Sequence, residues 1–146
     1  MSQYATFHVG ERLFGLDILN VREIIRVSDI TPVPRAAPSI RGLLNLRGQI
    51  VTILDLAVRL GHPPPPLTEA SHIVILKAQG NLKHEAMEAV GLLVDAIGDV
   101  LEADASNTEP PPANLTDTEA RFISGVLKTD AGLLVLLNLP DLLAAN

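Results

Sequence analysis

A chain of 146 residues is the size of one ordinary domain. Its apolar content of 47% supports a sizeable core, but aromatics are only 3%, so Leu, Ile, Val and Ala must fill it. The absence of cysteine excludes disulfides and thiolate metal ligands, and a net charge of −6 argues against a general nucleic-acid binder, whose affinity rests on cations set against phosphates.

Short runs rich in Val, Ile and Leu, punctuated by Gly and Pro, predict many short strands. In chain order these are YATFHV (4–9), LFGLD (13–17), EIIRV (23–27), LLNL (43–46), QIVTILD (49–55), SHIVILKA (71–78), AVGLLVD (89–95), DVLEA (99–103), FISGVLK (122–128) and LLVLLNL (133–139). Short helical turns are predicted at 18–22 and 56–60, and a terminal one in PDLLAAN, where Pro140 suits a first turn. HPPPP (62–66) continues neither a helix nor a central strand and reads as a stiff midpoint connector. MSQYATFHVGER lacks a basic segment followed by an apolar core. The run LLVLL (133–137) is far shorter than the roughly 20 residues of a membrane span. The expectation is a soluble, cytoplasmic protein with no direct membrane insertion.

The chain also matches itself. FGLDILNVREII (14–25) lies over VGLLVDAIGDVL (90–101), placing Gly15 on Gly91, Val21 on Ile97 and Glu23 on Asp99. IRGLLNLRGQIVTILDL (40–56) lies over ISGVLKTDAGLLVLLNL (123–139), placing Gly42 on Gly125 and Ile53 on Leu136. Two matches in the same order, with glycines in register, imply a duplicated β unit, the offset growing by seven residues through a loop insertion. NLRGQ (45–49) then falls on KTDAG (128–132), a hairpin turn, so Arg47 belongs on a turn and not in a core. Charge divides the halves: residues 1–66 hold seven Lys/Arg against five Asp/Glu, and residues 67–146 hold four against twelve.

Catalytic motifs are missing. His8, His62, His72 and His84 keep no metal-ligand spacing, and neither glycine-rich phosphate loops nor a GxSxG elbow occurs. Asp17, Asp55 and Asp95 end strands and are assigned to capping the turns that follow. No catalytic residue, metal or cofactor is expected. In NVREIIRV, Val21, Ile24 and Ile25 give an apolar side, and Arg22, Glu23 and Arg26 a charged one. A pair between Glu23 and Arg47 would add only about 0.2–1 kcal/mol at a surface, which favours a role in recognition.

FGLDILNVREII, ITPVPRAAPSIRGLLNLRGQIVTILDL, GLLVDAIGDVL, FISGVLK and LLVLLNLPDLL, in that order, resemble the CheW-like chemotaxis coupling proteins over about residues 4–143. The resemblance implies a mostly β fold of two intertwined five-stranded OB- or SH3-like β-barrels on a shared hydrophobic core. The approximate subdomains are 12–66 and 67–139, with terminal segments able to cross to the opposite barrel. It implies a non-catalytic adaptor bridging a chemoreceptor signalling tip and the regulatory domain of the histidine kinase CheA. By the same resemblance Glu23 and Arg47 form a polar pair near the receptor site. Val21 lies on one apolar wall of that groove, Ile97 and Val100 on the opposite wall, and Gly42 and Gly91 where backbone approaches closely. The alternatives are a CheW-like coupler serving pili, gliding or second messengers, and an OB-type barrel binding oligonucleotide or sugar. The latter wants stacking aromatics and basic grooves, against three Phe, one Tyr and no Trp here.

Overall fold

A computed structural model describes residues 1–77 and 89–144. Residues 78–88, with His84 and most of NLKHEAMEA, and the last two residues of PDLLAAN lie outside the described residues. The elements run β1 (Ser2–Val9), β2 (Arg12–Asp17), a 3-10 turn (Ile18–Asn20), β3 (Val21–Arg26), β4 (Ile40–Leu46), β5 (Gln49–Asp55), α1 (Leu56–Arg59), β6 (His72–Leu76) and β7 (Ala89–Val94). They continue with β8 (Ala96–Ile97), β9 (Leu101–Ala103), a 3-10 turn (Ala105–Asn107), α2 (Asp117–Phe122), β10 (Ile123–Thr129), β11 (Gly132–Leu137) and α3 (Leu139–Ala144).

Three local readings change. The turn predicted at 18–22 stops at Asn20, and Val21 opens β3 because the strand gains β6 as a partner, Val21 facing Leu76. The strand predicted at 99–103 begins at Leu101, and a separate β8 precedes it. Asp17 and Asp55 cap as expected, accepting from Leu19 N at 2.9 Å and from Val58 N at 3.5 Å. Asp95 instead reaches back across the fold, its Oδ2 accepting from Gly10 N at 2.8 Å and holding the β1–β2 turn.

The strands form two sheets, one in the order β10-β11-β2-β1-β8 with β9 also on β1, the other in the order β3-β6-β7-β5-β4. The two orders are the same permutation under the internal repeat. Hairpin β1–β2 takes the place of β6–β7, and β10–β11 that of β4–β5. Register repeats as well: Ile53 pairs Gly91 in the parallel β5–β7 ladder, and Leu136 pairs Gly15 in the parallel β11–β2 ladder. Each hairpin therefore pairs with strands from the distant half of the chain, which is the intertwining. By hydrogen bonding, residues 2–17 group with 96–137, and residues 21–94 form the other group. This division differs from the limits 12–66 and 67–139, since HPPPP joins α1 to β6 within the second group.

Each sheet curls onto itself. Beyond β3, Thr31 exchanges two 2.8 Å backbone bonds with Leu43 of β4, and beyond β9, Glu109 exchanges bonds of 2.8 and 2.9 Å with Val126 of β10. Gly42 and Gly125 stand beside these bridges. A Cβ on Gly42 would collide with the Thr31 carbonyl oxygen, and Gly42 has φ +151; a Cβ on Gly125 would lie 2.7 Å from Glu109 O. Glycine is needed there because backbone meets backbone. Gly91 is closely approached by side chains, Ile73 Cγ2 falling 2.5 Å from a Cβ at that site.

The main core lies between the sheets. Phe7, Phe14 and Leu16 of the first sheet meet Leu54, Val74 and Leu92 of the second, and Phe122 and Leu142 close it from the helices. Phe7 and Phe14 stack with centroids 6.3 Å apart. Smaller clusters fill each curl, around Ile53, Ile73 and Ile75 in the second sheet and around Leu127 and Leu134 in the first.

Candidate functional site

Strand β3 is an edge, and its side chains alternate between half-buried and exposed. Val21, Glu23 and Ile25 are half-buried, whereas Arg22, Ile24 and Arg26 face solvent. A register irregularity between Val21 and Glu23 distorts the ladder with β6, the kind of bulge that discourages edge-to-edge pairing and re-aims side chains.

Across from it stands the β4–β5 hairpin. Leu46 pairs Gln49, leaving the two-residue loop Arg47–Gly48, with φ of 51° and 86°. Positive φ at both positions defines a type I′ turn, whose first position favours Asn, Asp or Gly. An arginine there costs about 1–2 kcal/mol of backbone strain. Asn45 Oδ1 accepts from Gly48 N at 2.9 Å and braces the turn.

Although β3 and β4 lie at opposite ends of the strand order, the curl brings them face to face. Arg47 Nη2 donates to Glu23 Oε2 in an ion pair. Arg22 Nη1 donates to Gln49 Oε1 at 2.6 Å, and its Nε lies 3.8 Å from the same Glu23 oxygen. The result is a polar clasp over the barrel mouth, with the Arg47 side chain 63% exposed. Such exposure keeps its contribution to stability small, while a fixed guanidinium remains available for planar recognition.

Of the remaining candidates, Val21 and Ile97 are brought together indirectly, both half-buried against the main core. Val100 stands between β8 and β9 and is 52% exposed. Sequence reasoning missed Gln49, which is exposed at the start of β5, and Ile50, which is 51% exposed beside the Arg47 turn. Their signal is positional: they are the first two residues after a turn whose tip carries a charge. Chemically, the arrangement offers a charged rim beside scattered exposed apolar side chains, suited to holding another protein.

The CheW-like domain family matches residues 3–146. The probable chemotaxis protein CheW of Rhizobium etli is 37% identical over 136 residues, 93% of this chain and 83% of that protein. The chemotaxis protein CheW of Treponema pallidum is 29% identical over 148 residues, 99% of this chain and 83% of that protein. The crystal structure of the scaffolding protein TtCheW from Thermoanaerobacter tengcongensis superposes with a TM-score of 0.83 at 32% identity, covering 99% of this chain and 89% of that one. With the family matched along almost all of its length and the doubled, intertwined β architecture shared with a solved scaffold, this chain belongs to the CheW-like family of chemotaxis coupling adaptors.

Proposed function

We propose that the chain works without catalysis, in the cytoplasm, joining the signalling tip of a chemoreceptor to the regulatory domain of the histidine kinase CheA. The observation that carries this reading is the family match from residue 3 to residue 146. No helix among the described residues is long and apolar enough to cross a membrane. A helical receptor tip would lay apolar side chains against Val21, Ile97 and Val100. Glu23 and Arg47 would form the charged rim, setting specificity and approach rate more than holding strength.

The test is capture of a receptor signalling tip and of CheA by wild type, Arg47→Glu, Val100→Lys and Val21→Lys, with folding followed by circular dichroism. Arg47→Glu sets a second carboxylate beside Glu23 and should weaken receptor capture roughly tenfold, the scale of a lost rim charge pair. Val100→Lys, at an exposed position, should reduce receptor capture with folding intact. Val21→Lys should abolish it, the circular dichroism separating lost binding from a disturbed core. Unchanged receptor capture in all three variants would remove these residues from the receptor site.

A further inference from the structure

Among the described residues, one helix of the second half has no counterpart in the first. The bridge residue Thr31 precedes β4 by nine residues, but its counterpart Glu109 precedes β10 by fourteen, and the extra length holds α2. This insertion has no partner in the other half, and it begins on a capping box. Thr116 Oγ1 accepts from Glu119 N at 3.1 Å, and Glu119 Oε1 accepts in return from Thr116 N at 3.3 Å. One oxygen of Glu119 thus serves its own helix.

The other oxygen reaches across the seam between the sheets. Glu119 Oε2 lies 3.6 Å from Arg12 Nη1, at the start of β2 in the first sheet. It also lies 3.3 Å from Nε2 of His62, the first residue of the proline connector between two elements of the second group. The Glu119 side chain is only 6% exposed, whereas that of His62 is 50% exposed. Below them, Val9, Phe14, Ala57, Leu60, Pro63 and Pro65 line a cleft of about 390 Å³.

The connector needs such a tether. Residues 63–66 are all proline and offer no N–H, so they cannot be fastened through their own amides. At its head, Gly61 turns the chain with φ +93, and His62 N donates to Ala57 O at 2.9 Å. The His62 side chain is the polar contact that turns this stiff segment towards the other sheet.

We propose that α2 is a clasp: Glu119 pins the proline connector and the β1–β2 hairpin together over the inter-sheet cleft, and its release is a local opening of the molecule separate from global unfolding. Glu11, Asp95, Arg59 and Arg121 are the other charged side chains around this end, Asp95 being held by Gly10 and Arg121 lying over the Phe122 ring. A cleft roofed by a stiff strap opens by swinging the strap, because prolines resist bending within it.

Amide hydrogen exchange of the full chain tests the clasp in wild type, Glu119→Ala, His62→Ala and Arg12→Ala, with urea unfolding in parallel. Glu119→Ala should speed exchange about tenfold or more at Gly61 and His62 and at Gly10–Arg12, leaving the central amides of β5 and β7 at their wild-type rates. His62→Ala, a substitution at a half-exposed side chain, should speed the connector amides alone, and Arg12→Ala the hairpin amides alone. Acceleration spread evenly over all strands would overturn the proposal, reducing Glu119 to general stability. Unchanged exchange at 61–62 in His62→Ala would overturn it as well, even if Glu119→Ala failed to fold.

Discussion

Arg47 sits where backbone preference and the proposed receptor contact pull in different directions. With φ of 51° it occupies a turn position better served by Asn, and its ion pair with Glu23 is largely solvated. Arg47→Asn should therefore raise the unfolding free energy, by up to about 1 kcal/mol, while receptor capture falls; urea midpoints and the capture assay check the two halves of that statement. Glu119 makes a different prediction. Burial pushes its carboxyl pKa up, but the Thr116 amide, the Arg12 charge and the His62 and Thr116 side-chain hydrogen bonds outweigh burial, and the net direction is down. A carboxyl with a folded value below its unfolded one, roughly 4.3, stabilises the fold above that pH, and the contribution fades as pH falls through the folded value. The urea midpoints of wild type and Glu119→Gln should stand apart at pH 7 and converge towards pH 3. A gap that is unchanged at pH 3 would contradict the assignment.

Among the elements, the two barrel closures depend on glycine. Gly42 and Gly125 let a loop carbonyl approach a strand where any Cβ would intrude, and the two positions are equivalent in the repeat. Gly42→Ala should cost about 1–3 kcal/mol, as overpacking does, with thermal unfolding as the measurement. The same substitution at Gly10, where no heavy atom lies within 4 Å of an added Cβ, meets only the strain of φ +61 and should cost less. The hairpin assignments were legible because turns announce themselves locally: NLRGQ and KTDAG are both two-residue loops between paired strands. The TDTE run at 116–119 carries the capping-box signature of α2. The helix is nevertheless absent from the strand reading, because only six residues follow the cap before β10 takes over.

At the scale of the molecule, folding requires both halves at once. Strands β1 and β2 pair with β8, β9 and β11, so residues 1–66 alone would leave that hairpin without its sheet and the main core without Leu92, Phe122 and Leu142. A fragment of residues 1–66 should show no cooperative thermal transition, and mixing it with residues 67–146 should restore one; circular dichroism checks both. The many pairings between residues distant in sequence also place the chain among slow folders.

The sequence by itself determined the strand-rich character, the duplication, the family and the placing of Arg47 on a turn. All of these are written in nearest neighbours, in apolar runs between Gly and Pro and in two segments that repeat them. Only the tertiary structure decided which strands of the distant half each hairpin pairs with, that the curl of the second sheet carries the Arg47 turn onto Glu23, that Asp95 holds Gly10, and that Glu119 reaches His62 across the seam. Those outcomes join residues 24 to 121 positions apart, and no local spacing encodes such contacts. They follow from burying one leucine-rich core between two curled sheets, which draws particular charged side chains together at its edges.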